Sequence, residues 1–385
     1  MKKLLILACM LQLISIQVLA ASKLIAENTE LLTVNSNLIE KADFVVTLPP
    51  SYGKKPDKQY VVLLGLHPRS HALLAGMHDW MSHNGDWPWL ETIIVTAPDG
   101  HQGFGELKVA AIKEQGNQKL LDYFEQDLLP AIDNKYRTNG FRIFNGFVGD
   151  AGLGLYTLIN RPSLFNAYFA ASPALSQDFA YVIKDAPKKL AAMQGKSRFL
   201  FMSSSDSSHD QQQLATFTEM EAIVKANANE TLDYRIKRFD GSYYMTQPVL
   251  AAAYGIEALF DDYHQALAAD SEISKQGPQA IVAHYRYLSE QKYGFKVPAT
   301  GSLIKLGNSY LETEPTKAIE VYKVAITDDP NTVSAYDAVA GAYAKLGDFE
   351  QAIKYQGLAL DKTNHSFYKK KYSQKLAEYK QQSKL

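Results

Sequence analysis

Thiol chemistry is nearly missing from this chain, whose one cysteine in 385 residues is Cys9. That residue lies in a stretch that reads as a leader, so disulfides, zinc thiolates and a cysteine nucleophile are excluded together from the remainder. An excess of either charge is missing too. Lys and Arg number 40 against 41 Asp and Glu, a formal net charge of −1, which becomes −3 once Lys2 and Lys3 leave with the leader. Such a balance gives no reason to expect nucleic acid or an anionic membrane surface as partner. After the leader no apolar run approaches the ~20 residues a spanning helix needs, so no membrane span is expected in the mature chain.

The first 20 residues carry the parts of a secretory signal. Lys2 and Lys3 form a basic start, Leu4 to Leu19 is mostly apolar, and Val18-Leu19-Ala20 precedes a cut between Ala20 and Ala21. The protein is therefore expected to be exported, to the periplasm or beyond the cell. Ile6-Leu7-Ala8-Cys9 loosely resembles a lipoprotein box, but Cys9 stands too close to the basic end. Gln12, Ser15 and Gln17 weaken a membrane anchor.

With 46% hydrophobic and 21% charged residues, the chain has an ordinary globular composition, and its length suggests two or three domains. Seven stretches read as strands: "DFVVTLP", "YVVLLGLH", "TIIVTAPDG", "FRIFNGFV", "NAYFAAS", "SRFLFMSSS" and "TLDYRIKRF". Helical patterns lie between several of them, the clearest over 118–136 through Leu120, Leu121, Phe124, Leu128, Ile132 and Tyr136. The alternation predicts an α/β domain over 21–267 with a mostly parallel sheet between helices. A linker and a helix follow over 268–299, with "DSEISKQGPQ" as the linker. Residues 300–385 read as all-α. There Leu306, Gly307, Tyr310, Ala318, Tyr322 and Ala325 are echoed by Tyr336, Val339, Tyr343, Gly347, Ala352 and Ala359 at spacings close to a tetratricopeptide pattern. A two-helix hairpin of another kind is the alternative. A Lys- and Tyr-rich tail from Ser366 caps the array.

"YFEQDLLPAIDNKYRTNGFRIFNGFVGDAGLGLYTLINRPSLFNAYFAASPAL" resembles the putative-esterase branch of the α/β-hydrolases, which includes esterase D-like and siderophore-releasing esterases. The ordered set is the acidic-Leu-Leu-Pro run, Tyr136-Arg137-Thr138, Asn160-Arg161-Pro162 and Ser172-Pro173. The resemblance covers most of 40–265, and the stretch after it looks like the tetratricopeptide extension of some bacterial members. It implies a serine hydrolase triad with the serine in a GxSxG elbow.

At the corresponding positions the chemistry is different. Val148 stands at the serine position and Asp150 at the second glycine, where a side chain meets a crowded turn. Tyr244 falls at the histidine position, and a phenol of pKa ~10 is a poor base near neutrality. Asp206 is the nearest match to the acid. His67-Pro68 replaces Asp-Gly in the first loop, and proline has no N–H to offer an oxyanion.

Two other clusters carry groups that could do chemistry. His209 with Ser203, Ser204, Ser205, Ser207 and Ser208 is a Ser-rich turn more in keeping with a solvated loop. His67, His71, His78 and His83 with Asp79 and Asp86 offer metal-like spacings, but three indoles within ten residues favour a packed or ligand-covering loop.

The expectation is an α/β-hydrolase-like protein with degenerate triad positions Val148, Asp206 and Tyr244, binding a small molecule through Trp80, Trp87, Trp89, Tyr243, Tyr244 and Asp150 without metal or cofactor. The rivals are an ester hydrolase with an unrecognised nucleophile, and a repeat-based adaptor for a protein or peptide partner.

Overall fold

The computed structural model describes residues 28–67, 69–97 and 104–384. The leader with Cys9, and Pro68, lie outside the described residues. Eight strands form one sheet: β1 (Thr29–Asn35), β2 (Lys41–Thr47), β3 (Tyr60–Gly65), β4 (Thr92–Thr96), β5 (Thr138–Phe147), β6 (Ala167–Ala171), β7 (Arg198–Ser204) and β8 (Leu232–Arg238). The seven stretches read as strands supply β2 to β8. β1 was not legible, because of its residues only Leu32 and Val34 are buried and Leu31 is exposed.

The strand order is β1-β2-β4-β3-β5-β6-β7-β8. β2 runs antiparallel to both β1 and β4, and every other pairing is parallel. Parallel strands covered on both faces carry continuous apolar runs, and every residue of β3, β4 and β6 is buried.

The crossovers are helical: α1 (Ser70–Ser82), α2 (Phe104–Lys113), α3, which joins Lys119–Tyr123, the π turn Phe124–Leu128 and Leu129–Lys135, then α4 (Gly149–Asn160), α5 (Val182–Ala191) and α6 (Gln211–Asn227). α7 (Gln247–His264) follows β8. Because each parallel strand is left through a loop and re-entered after a helix, the carboxyl ends of β3 to β8 open on one edge of the sheet. That is the edge where α/β folds build their sites.

The core fixes α4 against this sheet. All its residues from Asp150 to Ile159 are buried. Gly154 lets the helix settle on Phe144, since a Cβ there would lie 2.9 Å from that ring. Phe144 meets Phe165 edge-on at 5.3 Å, and Phe165 in turn meets Phe124. Each fully buried phenylalanine contributes roughly 1.5–3 kcal/mol, so the strand before the elbow and the helix after it are held by a buried aromatic cluster.

The chain divides into two compact units between Asp261 and Asp262. The second is helical: α8 (Glu272–Lys275), α9 (Pro278–Tyr287), a π turn over Leu288–Tyr293, then α10 (Thr300–Tyr310), α11 (Pro315–Asp328), α12 (Val333–Lys345), α13 (Phe349–Lys362) and α14 (Ser366–Gln382). The segment read as a linker is thus partly helical, with the Ser271 side chain capping α8 by accepting from Ser274 N–H. From α10 onward each helix packs chiefly on the helix before it and the helix after it. Among the described residues no helix is long and apolar enough to cross a membrane.

Candidate functional site

β5 ends at Phe147 and α4 begins at Gly149, so Val148 alone makes the corner. Its backbone stands at φ 57° and ψ −113°, a region that costs a β-branched residue about 1–3 kcal/mol. Three hydrogen bonds impose it. Val148 N–H donates to the Ala171 carbonyl, and the Val148 carbonyl accepts from Gly152 N–H and Ala174 N–H, each at 3.0 Å. The tight strand-to-helix turn is therefore retained around a residue that has no nucleophilic atom.

Asp150 does not crowd this turn, contrary to expectation. The close approaches are at Gly146, where a Cβ would lie 2.5 Å from the backbone of Asp150 and Ala151, and at Gly152, where it would lie 2.6 Å from the Ala174 carbonyl oxygen. The Asp150 side chain is instead buried against α2, where its carboxylate meets Lys108 Nζ at 2.5 Å. The two side chains are 8% and 17% exposed. A carboxylate in the first turn of α4 also opposes the positive end of the helix dipole.

Val148, Gly149, Asp150 and Lys108 line a cleft of about 380 Å³ together with His67, Ile112, Phe147, Leu153, Tyr244 and Met245. Its walls are mainly apolar, and among the described residues its one ion pair, Lys108 with Asp150, is internally neutral. Among the described lining residues the only hydroxyl is that of Tyr244.

Tyr244 occupies a short turn before α7. Its ring lies 5.0 Å from Phe147 and stacks at 5.0 Å on His209. Burial raises the pKa of its hydroxyl, with the nearby Asp210 carboxylate adding to the effect. The phenol therefore stays protonated near neutrality and is no proton acceptor. Asp206, at the acid position, is exposed and accepts a hydrogen bond from Gly241 N–H at 2.7 Å. It fastens the loop that leads to Tyr244.

The serine run after β7 is only partly solvated. Ser203 and Ser204 belong to β7 and are buried with Ser205, whereas Ser208 and His209 are exposed. Ser205 and Ser207 both donate to the buried Asp210 carboxylate, at 2.5 and 2.8 Å. These hydroxyls order the loop.

The tryptophans do not line the cleft. Trp89 is fully buried, edge-on to His78 at 5.4 Å, with Nε1 donating to Thr92 Oγ1. Trp80 and Trp87 are 75% and 57% exposed. The reason is topological: α1 carries the chain back toward the amino end of β4, a rise of roughly 20 Å at 1.5 Å per residue. His67, before that helix, lies at the cleft; the indoles at and beyond its end lie at the other end. Tyr243 is likewise exposed and off the cleft, at 86%. Of the residues expected to bind a ligand, Tyr244 and Asp150 alone reach it. Lys108 and Ile112 are not legible in the sequence, since no spacing links α2 to the elbow; Leu153, on α4, and Met245, next to Tyr244, join them on the lining.

The histidines of the first crossover are engaged with protein groups. His71 lies 2.9 Å from both Thr47 Oγ1 and Thr96 Oγ1, and His83 Nδ1 lies 2.6 Å from the Trp80 carbonyl oxygen. His78 Nε2 accepts from Thr92 N–H at 2.8 Å. Among the described residues no three metal-binding side chains stand together.

Burial lowers the His78 pKa to about 4, against the pull of Glu91 and Asp86. The unfolded chain, with an ordinary histidine, binds the extra proton first. Stability should thus fall as the pH drops from about 6.5 toward 4, by on the order of 3 kcal/mol if this group acts alone. Melting temperatures of wild type and His78→Gln across that window check it, because the variant should lose less stability over the interval.

A protein-family model described as putative esterase matches residues 36–240, more than half of the chain. The chain belongs to that esterase family. Among solved structures, an uncharacterised protein of Capnocytophaga ochracea shares the fold at TM-score 0.67 and 16% identity, over 91% of this chain and 99% of the other. An IroE-like serine hydrolase of Shewanella oneidensis aligns at TM-score 0.59 and 16% identity, over 87% and 100%. A siderophore hydrolase of Aspergillus nidulans aligns at 0.51 and 14%, over 62% and 97%. No curated protein matches the sequence. The first two likenesses reach into the helical unit, while the third is shorter.

Proposed function

We propose that this member of the esterase family binds a small, largely apolar molecule in the cleft at its elbow and does not hydrolyse esters. The observation that carries the reading is Val148 at the corner where an attacking hydroxyl would stand. Loss of the nucleophile costs a triad enzyme roughly a million-fold, about 8 kcal/mol. Tyr244, kept protonated by burial, offers no base, and the rest of the cleft offers no other hydroxyl among the described residues. Ile112, Phe147, Leu153 and Met245 favour an apolar or aromatic ligand, and the internally paired Lys108 and Asp150 favour a neutral one. We also take the protein to be exported, on the strength of its leader.

For the helical unit we read α10 to α13 as two tetratricopeptide hairpins capped by α14. Gly307 on α10 supports this, since a Cβ there would lie 2.2 Å from the Tyr322 ring on α11. That is the small-against-aromatic seam on which the pattern was read.

A fluorophosphonate probe, which marks activated serines, tests the main reading. Wild type should remain unlabelled, and Val148→Ser alone should as well, because Tyr244 stands at the base position, His67 Nδ1 is already accepting from Arg69 N–H, and a serine with no base hydrogen-bonded to it has a negligible alkoxide population. Stoichiometric labelling of the folded wild type would overturn the proposal.

A further inference from the structure

The near-neutral charge of the whole chain conceals a segregation. From Lys362 onward there are seven lysines and one glutamate, a local net charge of +6 that leaves −7 for the rest. Lys369, Lys370 and Lys371 stand consecutively on α14, all exposed, and among the described residues they make no ion pair, whereas Lys375 on the same helix is paired with Asp337 at 2.7 Å. On α14 the only fully buried residue is Tyr372. Lys371 and Lys375 are like charges four residues apart, which weakens a helix in isolation.

Directly before this run two large apolar side chains face solvent, Phe367 at 64% and Tyr368 at 43% exposure. They pack on one another at 5.4 Å, with His365 and Tyr372 touching Tyr368 on either side. A solvated capping helix has no need of an exposed aromatic cluster joined to unpaired lysines. A lipid–water interface uses both: rings enter the head-group layer and ammonium groups reach phosphates on flexible stems.

We infer that α14 is a peripheral membrane contact that places this protein on an anionic phospholipid surface. Geometry favours lipid over an acidic protein. Three consecutive helical lysines span about 200° of the circumference, more than one face of a folded partner would meet, whereas a fluid head-group layer adapts to all three. The inference is independent of what the elbow cleft binds, and the overall charge balance that argued against such a surface does not apply to this helix.

Co-sedimentation of the full chain with vesicles tests it. Binding is expected to vesicles containing phosphatidylglycerol, to weaken as salt is raised, and to be absent with phosphatidylcholine alone. Reversing Lys369, Lys370 and Lys371 to Glu should weaken binding by at least on the order of a hundredfold, the effect of three surface lysines. Phe367→Ser, which leaves the charge unchanged, should weaken it several-fold, and circular dichroism should report the same helix content throughout. No binding to phosphatidylglycerol vesicles would overturn the inference. So would binding that Phe367→Ser and the charge reversal both leave unchanged, or capture by polyglutamate without capture by vesicles.

Discussion

Gly146→Ala is expected to destabilise the α/β unit by roughly 3 kcal/mol, the upper range for forcing a methyl into a closed space. The added Cβ would lie 2.5 Å from the Asp150 carbonyl and from Ala151 N, which are backbone atoms that cannot rotate aside. They open α4, whose residues from Asp150 to Ile159 are all buried, so relief would require moving a helix that is buried along its length. Gly76→Ala is the control. It lies inside α1 with nothing within 4 Å of its Cβ, and should be neutral or stabilising by about 0.5–1 kcal/mol. Urea denaturation of the two variants separates a turn held by close contact from a general sensitivity to methyl groups. Equal midpoints would remove the packing account of the elbow.

Lys108→Met should cost about 2–3 kcal/mol, because Asp150 is left in place, 8% exposed, without its cation. The figure is below that for a fully buried pair, since Lys108 keeps some contact with water. Adding Asp150→Gly, which restores the residue type the elbow pattern implies, should recover most of the loss. The double variant also indicates why the elbow could accept an aspartate: the residue is tolerated as half of a pair with α2. A double-mutant cycle read by denaturation should give a coupling above about 1 kcal/mol. Additive effects would mean that the pair contributes nothing at the cleft.

Much of the fold was legible because parallel strands announce themselves. "YVVLLG", "TIIVT" and "AYFAA" are apolar on both faces and cannot be solvated. β1 escaped because an edge strand with two buried residues carries no such run. The elbow corner was legible as glycines around a strand-to-helix boundary and led to Val148 and Asp150, whereas Tyr244 was reached only through the resemblance, at its histidine position; all three line the cleft. The tryptophans misled because nearness in sequence to His67 is not nearness in space once a helix of 13 residues intervenes. Lys108 was invisible for the opposite reason. It reaches Asp150 through tertiary packing of two helices, and nothing in its neighbourhood distinguishes it from other surface lysines.

Steady-state hydrolysis of a short activated ester by the wild-type protein, set beside a heat-treated sample and Val148→Ala, tests the proposed absence of ester hydrolysis most directly. The expected result is one rate for all three, equal to the background. Heat-labile turnover by the wild type would contradict the account, and turnover that also survives Val148→Ala would place the chemistry elsewhere in the cleft than at the elbow.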